Sequence, residues 1–351
     1  MVIGSALGQT RRMAEGATQY RSYAQQSGHY FDRPHAAPPT APVGGPAAWR
    51  GSDMAGDPGW LETLAPEHVD ELATAARRIV GAGVRLEDVT AADFPLAGMA
   101  AVIDGWRSEL VGGRGFVVVR GLPVNEWDRP TIDAAYWLLG HHLGVPGAQN
   151  PQGDLLGHVH DTGEEATNPA IRRYRTSGNI DFHCDAADVV GLLCLRPAKA
   201  GGQSRIASSV TVFDEARARR PDLVDRLFEP FPLDLRDEHL PGASPVVPVR
   251  ACAFDGSTLR TFWHSEYYRS APRHDEVPDY TEDEQALLDL YDGIAEEAGV
   301  FLDMWLEPGD MQFLSNHSVI HARTAYEDHP EADRKRHLLR LWLSLTAGGA
   351  S

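Results

Sequence analysis

The chain has 351 residues, 42% hydrophobic and 23% charged, which fits a soluble globular protein and excludes a collagen-like or wholly disordered one. Fifty acidic against 32 basic side chains leave a net charge of −18, which argues against a phosphate-tracking nucleic-acid surface and for a small-molecule partner. No apolar run approaches the roughly 20 residues of a membrane span, and Cys184, Cys194 and Cys252 lack CxxC spacing, which points away from disulfides or a cysteine zinc site and toward a reducing cytoplasm.

At the N-terminus Arg11 and Arg12 follow the short apolar stretch instead of preceding it, against a secretory signal. Residues 34–48, PHAAPPTAPVGGPAA, read as an extended linker, and 1–48 as a poorly packed arm before one domain over 49–351. From Pro66 the spacing of Val69, Leu72, Ala76 and Ile79 predicts a helix ending near Gly81. Short β-branched and aromatic runs follow, at 115–120 (GFVVVR), 189–195 (VVGLLCL), 301–306 and 312–314. Separated by Gly and Pro, they predict strands of a sandwich or barrel more than a βαβ alternation. Between them, Thr281 and Glu284 form a capping-box pattern ahead of the apolar stripe Leu287, Leu290, Ile294 and Ala298.

Three histidine clusters compete for chemistry. In Asp181-Phe182-His183-Cys184-Asp185, His183 and Asp185 are two apart, so an extended chain points both to one side. Far along the chain, His317 and His321 lie in NHSVIHAR; either could join the H-x-D pair by folding, giving the two-histidine, one-carboxylate set of non-haem Fe(II) oxygenases. His158-Val159-His160-Asp161 superficially resembles a metallohydrolase fragment but sits in a Gly- and Asp-rich stretch, and with His141-His142 is assigned to loop or surface.

The closing run RHLLRLWLSL at 336–345 places leucines at 339, 341, 343 and 345, and Arg336, Arg340, Trp342 and Ser344 on the other face. A guanidinium turned inward needs an anion, and a carboxylate matches its fork. The alternative is an exposed face with solvated arginines.

These segments together resemble the taurine dioxygenase and clavaminate synthase-like superfamily of Fe(II)/2-oxoglutarate-dependent oxygenases. The likeness covers most of 49–346: GRGFVVVRGLPV at 113–124, LGVPGAQNPQGDLLGHV at 143–159, FHCDAADVVGLLCLRPAKAGGQSRIASS at 182–209, EPGDMQFLSNHSVIHARTAYED at 307–328, and the final RKRHLLRLWLSL. It implies an α+β fold with a double-stranded β-helix, or jelly roll, and helices packed outside it. It assigns His183, Asp185 and His321 as Fe(II) ligands. Asp185 stands where halogenating relatives carry a small residue, which argues against halogenation. Arg336, fifteen residues past His321, matches the arginine that pairs with the distal carboxylate of 2-oxoglutarate. Ser204, in GGQS, stands where a Thr often supports that carboxylate. Arg340 matches a position that contacts an anionic substrate group in some members; a structural salt bridge is its equal alternative. The implied reaction consumes O2 and 2-oxoglutarate, releases succinate and CO2, and hydroxylates, desaturates or cyclises a small, carboxylate-bearing molecule at an unactivated C–H. Two other classes remain at this point: a metal-dependent hydrolase using His158 and His160, and a non-catalytic jelly-roll binding protein.

Overall fold

A computed structural model describes residues 20–164, 173–239 and 242–345. Its two large sheets contain eleven strands, numbered here in chain order: β1 (Leu61–Thr63), β2 (Phe116–Arg120), β3 (Val145–Gly147), β4 (Gly157–Val159), β5 (Ile180–His183), β6 (Val189–Arg196), β7 (Ser204–Ser208), β8 (Phe301–Met304), β9 (Met311–Ser315), β10 (Val319–Arg323) and β11 (His337–Ser344). The larger sheet runs β1-β2-β9-β6-β11-β3, with β4 pairing onto β11; the smaller runs β8-β7-β10-β5. All pairs are antiparallel except β1 with β2. The runs read as strands from sequence match β2, β6, β8, β9 and β11 to within two residues at either end.

Alternation along each strand decides what faces inward. Phe116 and Val118 of β2, Val190 of β6, Leu314 of β9 and Trp342 of β11 meet Ile206, Leu302, Met304 and Val319 of the smaller sheet, filling one end of a jelly roll. The opposite faces are covered as well. Val117, Val119, Leu193, Phe313 and the leucines 339, 341 and 343 pack beneath the helices Pro66–Gly81, Ala100–Gly112 and Arg129–Leu143. Phe182, Ala207, Ile320 and Ala322 pack beneath the helix Glu282–Ala295 and its neighbours. Strand β11 is thus covered on both sides, and Arg340 is buried inside the barrel, not solvated. The predicted helices begin as expected, at Pro66 and after an N-cap Thr281 whose capping box with Glu284 is complete. The second ends at Ala295, one turn before Ala298.

Within the expected arm, residues 1–19 lie outside those described and 34–48 form neither helix nor strand, as an extended linker would, but 20–31 depart from the expectation. Helix Tyr23–Phe31 starts at a capping box of Ser22 and Gln25. The fully buried Tyr30 donates its hydroxyl to the carbonyls of Thr261 and Asn316, both at 3.0 Å. Further on, the amides of Val43 and Gly44 donate to the Asp214 carboxylate at 2.8 and 2.9 Å. A Pro- and Ala-rich composition offers little side chain to bury, but backbone donors and one aromatic anchor are enough to bind such a segment to a sheet that already exists.

Candidate active site

Strand pairing creates the site. In the β10–β5 ladder His321 lies directly opposite His183, and cross-strand partners project to the same face. The two rings are 4.2 Å apart between centroids. Asp185 follows β5 by two residues, and its carboxylate comes within 3.9 Å of His321 Nε2. Among the described residues, these are the His, Cys, Asp or Glu side chains that offer three ligand atoms within 4.8 Å of one another.

His183 and Asp185 are oriented from behind. His183 Nδ1 lies 2.9 Å from the Asp181 carbonyl, which can only accept, so Nδ1 carries a proton and Nε2 is the nitrogen left for a ligand. The fully buried Asn316 accepts the Asp185 amide at 3.0 Å and donates to the Ala187 carbonyl at 2.9 Å, fixing the turn that presents the carboxylate. Burial, together with the neighbouring His183, pushes the His321 imidazole down to about 3, so it is neutral near pH 7. Burial alone would raise the Asp185 carboxyl, but Arg340, His321 and His183 hold it below its ordinary range, so it is ionised. Asp185 Oδ2 and His321 Nδ1 are nevertheless buried without a hydrogen-bond partner. Two imidazoles on one face and a carboxylate with unspent lone pairs suit a divalent iron and leave coordination positions open.

Arg336, Arg340 and Ser204 line the same cavity. Arg336 is buried; its Nη1 has no hydrogen-bond partner, and burial pulls the guanidinium below its ordinary range. Arg340 is held by Gln149, with Nε donating to Oε1 at 2.6 Å, while Nη1 stands 3.8 Å from Asp185 Oδ1. Tyr174 covers its face, 4.4 Å from the guanidinium carbon to the ring centroid. The hydroxyl of Ser204 donates to Gln312 Oε1 at 2.9 Å. Both glycines before it have positive φ, 71° and 75°; a Cβ at Gly201 would fall 2.2 Å from the Ala325 carbonyl. Only glycine lets the chain turn there.

The other histidines go elsewhere. His317 Nε2 binds Asp188 at 2.8 Å and its ring stacks on Tyr30, away from the triad. His158 Nδ1 meets His337 Nε2 at 2.9 Å, with the Arg129 guanidinium 3.3 Å away, a cationic neighbour unsuited to a hydrolytic metal. His141 is embedded in a helix, and His142 contacts the Phe94 carbonyl. A larger groove of about 540 Å³ opens beside Phe182, but its arginines are already committed, Arg236 to Glu266 and Arg269 to Asp292.

Sequence reading assigned no role to Asn316, Gln149 or Arg323. All three fall inside the quoted motifs, yet their partners come from distant strands and loops. Arg323 lines the cavity too, buried beside Arg336. Its guanidinium is depressed to about 10, chiefly by burial and secondly by Arg336.

A jelly roll enclosing a two-histidine, one-carboxylate site beside buried arginines defines a non-haem iron oxygenase. The model of the Taurine catabolism dioxygenase TauD, TfdA family matches residues 81–342, and the chain belongs to that family: it is an Fe(II)- and 2-oxoglutarate-dependent dioxygenase. FR-33289 synthase of Streptomyces rubellomurinus is 28% identical over 310 residues, covering 88% of this chain and 91% of that protein. A taurine hydroxylase-like protein of Stachybotrys chartarum is 23% identical, covering 89% and 82%. Among solved structures, asparagine oxygenase with Fe(II), 2S,3S-3-hydroxyasparagine and succinate superposes with a TM-score of 0.63 at 20% identity, covering 81% of this chain and 93% of that one. The non-heme iron oxygenase OrfP with Fe, succinate and (3R,4R)-dihydroxy-L-Arg gives 0.62 at 18%, covering 82% and 94%. No helix among the described residues is long and apolar enough to cross a membrane.

Proposed function

We propose that His183, Asp185 and His321 hold the iron, that Arg336 binds the distal carboxylate of 2-oxoglutarate, and that Arg340 orients an anionic group of a small-molecule substrate. The observation that carries this reading is the pair of buried polar atoms left without partners in one cavity, Asp185 Oδ2 and Arg336 Nη1, with His321 Nε2 3.9 Å from that carboxylate. Such atoms are costly to bury unless a ligand completes them. Bound iron, 2-oxoglutarate and O2 supply the oxidant that converts a substrate C–H to C–OH, with release of succinate and CO2. The chain's own residues do the rest. Asn316 fixes Asp185, the Asp181 carbonyl fixes the His183 tautomer, and the apolar walls Val190, Leu192 and Leu338 keep water from the reacting centre.

Arg340 fits an anionic substrate because Gln149 takes only its Nε, leaving the far end of the fork toward the cavity. Among the described residues the salt-bridge alternative has one carboxylate to offer, Asp185, and that stands 3.8 Å away. The hydroxyasparagine and hydroxyarginine bound by the two solved structures carry a carboxylate, which supports the same substrate class. Ser204 takes a minor part, because its donor is already spent on Gln312. The reading also carries a reducing compartment, the cytoplasm, since all three cysteines are free and buried.

The test is an anaerobic titration with Fe(II) and 2-oxoglutarate. A visible metal-to-ligand charge-transfer band is expected, followed by succinate formation on admitting O2. Failure of the band to form at any concentration refutes the assignment of this cavity.

A further inference from the structure

The cavity contains a second buried guanidinium besides Arg336. Arg323 lies two residues beyond His321 on β10, and its cross-strand partner on β7 is Ser204. It is 6% exposed. Its Nη2 donates to the carbonyls of Thr176, at 2.8 Å, and Gly178, while Nε and Nη1 are buried without a partner among the described residues. Arg336, also 6% exposed, leaves Nη1 unpartnered. The two guanidinium carbons lie 4.8 and 5.0 Å from the centroid of the same ring, Tyr326.

Two like charges sharing one ring, both buried and both holding unspent N–H groups, form an incomplete arrangement. A carboxylate completes it: two oxygens offer about four acceptor sites, enough for donors from two forks. The neighbouring Ser204 hydroxyl does not fill this role, since Arg323 Nε and Nη1 and Arg336 Nη1 make no hydrogen bond to it. Support of the loop at 176–178 does not account for Arg323 either, because that task uses Nη2 alone.

We propose that Arg323 is a second ligand for the distal carboxylate of 2-oxoglutarate, gripping it together with Arg336 and setting the preference of this enzyme for a dicarboxylic 2-oxo acid. The proposal rests on the reading of this cavity as the co-substrate site.

The experiment compares 2-oxoglutarate with 2-oxopentanoate, which has the same chain length without the distal carboxylate, by anaerobic Fe(II) titration of wild type, Arg323→Met, Arg323→Lys and Arg336→Met. In Arg323→Met the dissociation constant for 2-oxoglutarate is expected to rise about ten- to a hundredfold, the range for a charge-assisted hydrogen bond, while that for 2-oxopentanoate stays fixed. Arg323→Lys keeps the cation without the fork and is expected to lose several-fold on 2-oxoglutarate only; it carries the test should the Met variant not fold. In metal-free protein, glutarate is expected to raise the melting temperature of wild type more than that of either variant. Equal loss on both oxo acids would assign Arg323 to loop support and overturn the proposal, as would no loss on either. Selective loss in Arg336→Met alone leaves the co-substrate site standing and removes Arg323 from it. A wild type that gives no band with either acid removes both.

Discussion

Two buried aspartates three residues apart, Asp185 and Asp188, each have two histidines for neighbours, and they are completed in opposite ways. Asp188 accepts from His29 Nε2 and His317 Nε2, both at 2.8 Å, and from the Leu345 amide at 2.7 Å. Asp185 has His183 and His321 beside it, but Oδ2 has no hydrogen-bond partner and the His321 nitrogen is 3.9 Å away. The residue types are the same; what differs is whether the protein supplies the last partner. A closed set holds structure together, and an open one is preorganised for something the chain does not contain.

The largest expected effect breaks the open set. Asp185→Ala, His183→Ala or His321→Ala is expected to abolish the anaerobic iron and 2-oxoglutarate signal with little change in melting temperature: Asp185 Oδ2 and His321 Nδ1 have no hydrogen bond to lose, and His183 gives up one, to the Asp181 carbonyl. His317→Ala is expected to keep the signal and lose stability. Iron retained by His321→Ala and lost by His317→Ala would reverse the comparison. Next comes Arg336→Met, expected to raise the 2-oxoglutarate requirement by about a hundredfold, the upper range for a charge-assisted pair, while iron alone still binds. Unchanged 2-oxoglutarate affinity would remove Arg336 from the co-substrate site.

Breaking the closed set costs stability instead. Asp188→Asn removes the charge that serves two histidines and a backbone amide, and is expected to cost about 3 kcal/mol, the lower end for a broken buried pair, read from the urea midpoint. The pH profile sharpens this. Burial opposes ionisation of Asp188, but His29 and His317 hold its carboxyl far below the ordinary range. Its contribution is therefore full above the unfolded value of about 4 and is lost as pH falls below it. His317 acts in the same direction. Burial holds its pKa below the ordinary value despite Asp188, so stability begins to fall below about pH 6.5. Wild type should weaken on acidification in both ranges, and Asp188→Asn should lack the Asp188 share of the lower one, keeping that of the other depressed carboxyls Asp234 and Asp255. A difference between wild type and variant that stays constant below pH 4 would show that Asp188 contributes no such linkage.

The comparison also explains what the sequence could tell. The H-x-D pair and the alternation of β11 are local patterns with a period of two, so His183, Asp185, Arg336 and Arg340 could be read directly, as could the capping box at Thr281. The choice between His317 and His321 could not be made from spacing. The fold seats His317 against Asp188 and Tyr30, and the β5 register seats His321 opposite His183. Gln149 reaches Arg340 across 191 residues of chain and His29 reaches Asp188 across 159. No local period carries such pairings. The packing of the N-terminal segment is hidden for a related reason: composition reports how much side chain is available for burial, and this segment is held by a few anchors and by backbone donors.

The smallest expected effect tests the boundary between closed and open within the cavity. Ser204 lies opposite Arg323 in the β7–β10 register and lines the cavity, which places it beside the open set. Its donor, however, is closed: Oγ–H goes to Gln312 Oε1 at 2.9 Å, and the Gln312 amide is turned toward Met304 Sδ. A carboxylate has no proton to give, so the lone pairs left on the hydroxyl offer it nothing. Ser204→Ala should therefore lose at most about 1 kcal/mol in 2-oxoglutarate binding, the size of a neutral hydrogen bond, and should show it mainly as a small drop in melting temperature from the unpartnered Gln312 carbonyl. Ser204→Thr keeps the hydroxyl and should restore that melting temperature. A loss of tenfold or more in 2-oxoglutarate affinity for Ser204→Ala, rescued by Thr, would mean that the hydroxyl turns away from Gln312 when the co-substrate enters, and would move Ser204 into the open set with Arg336.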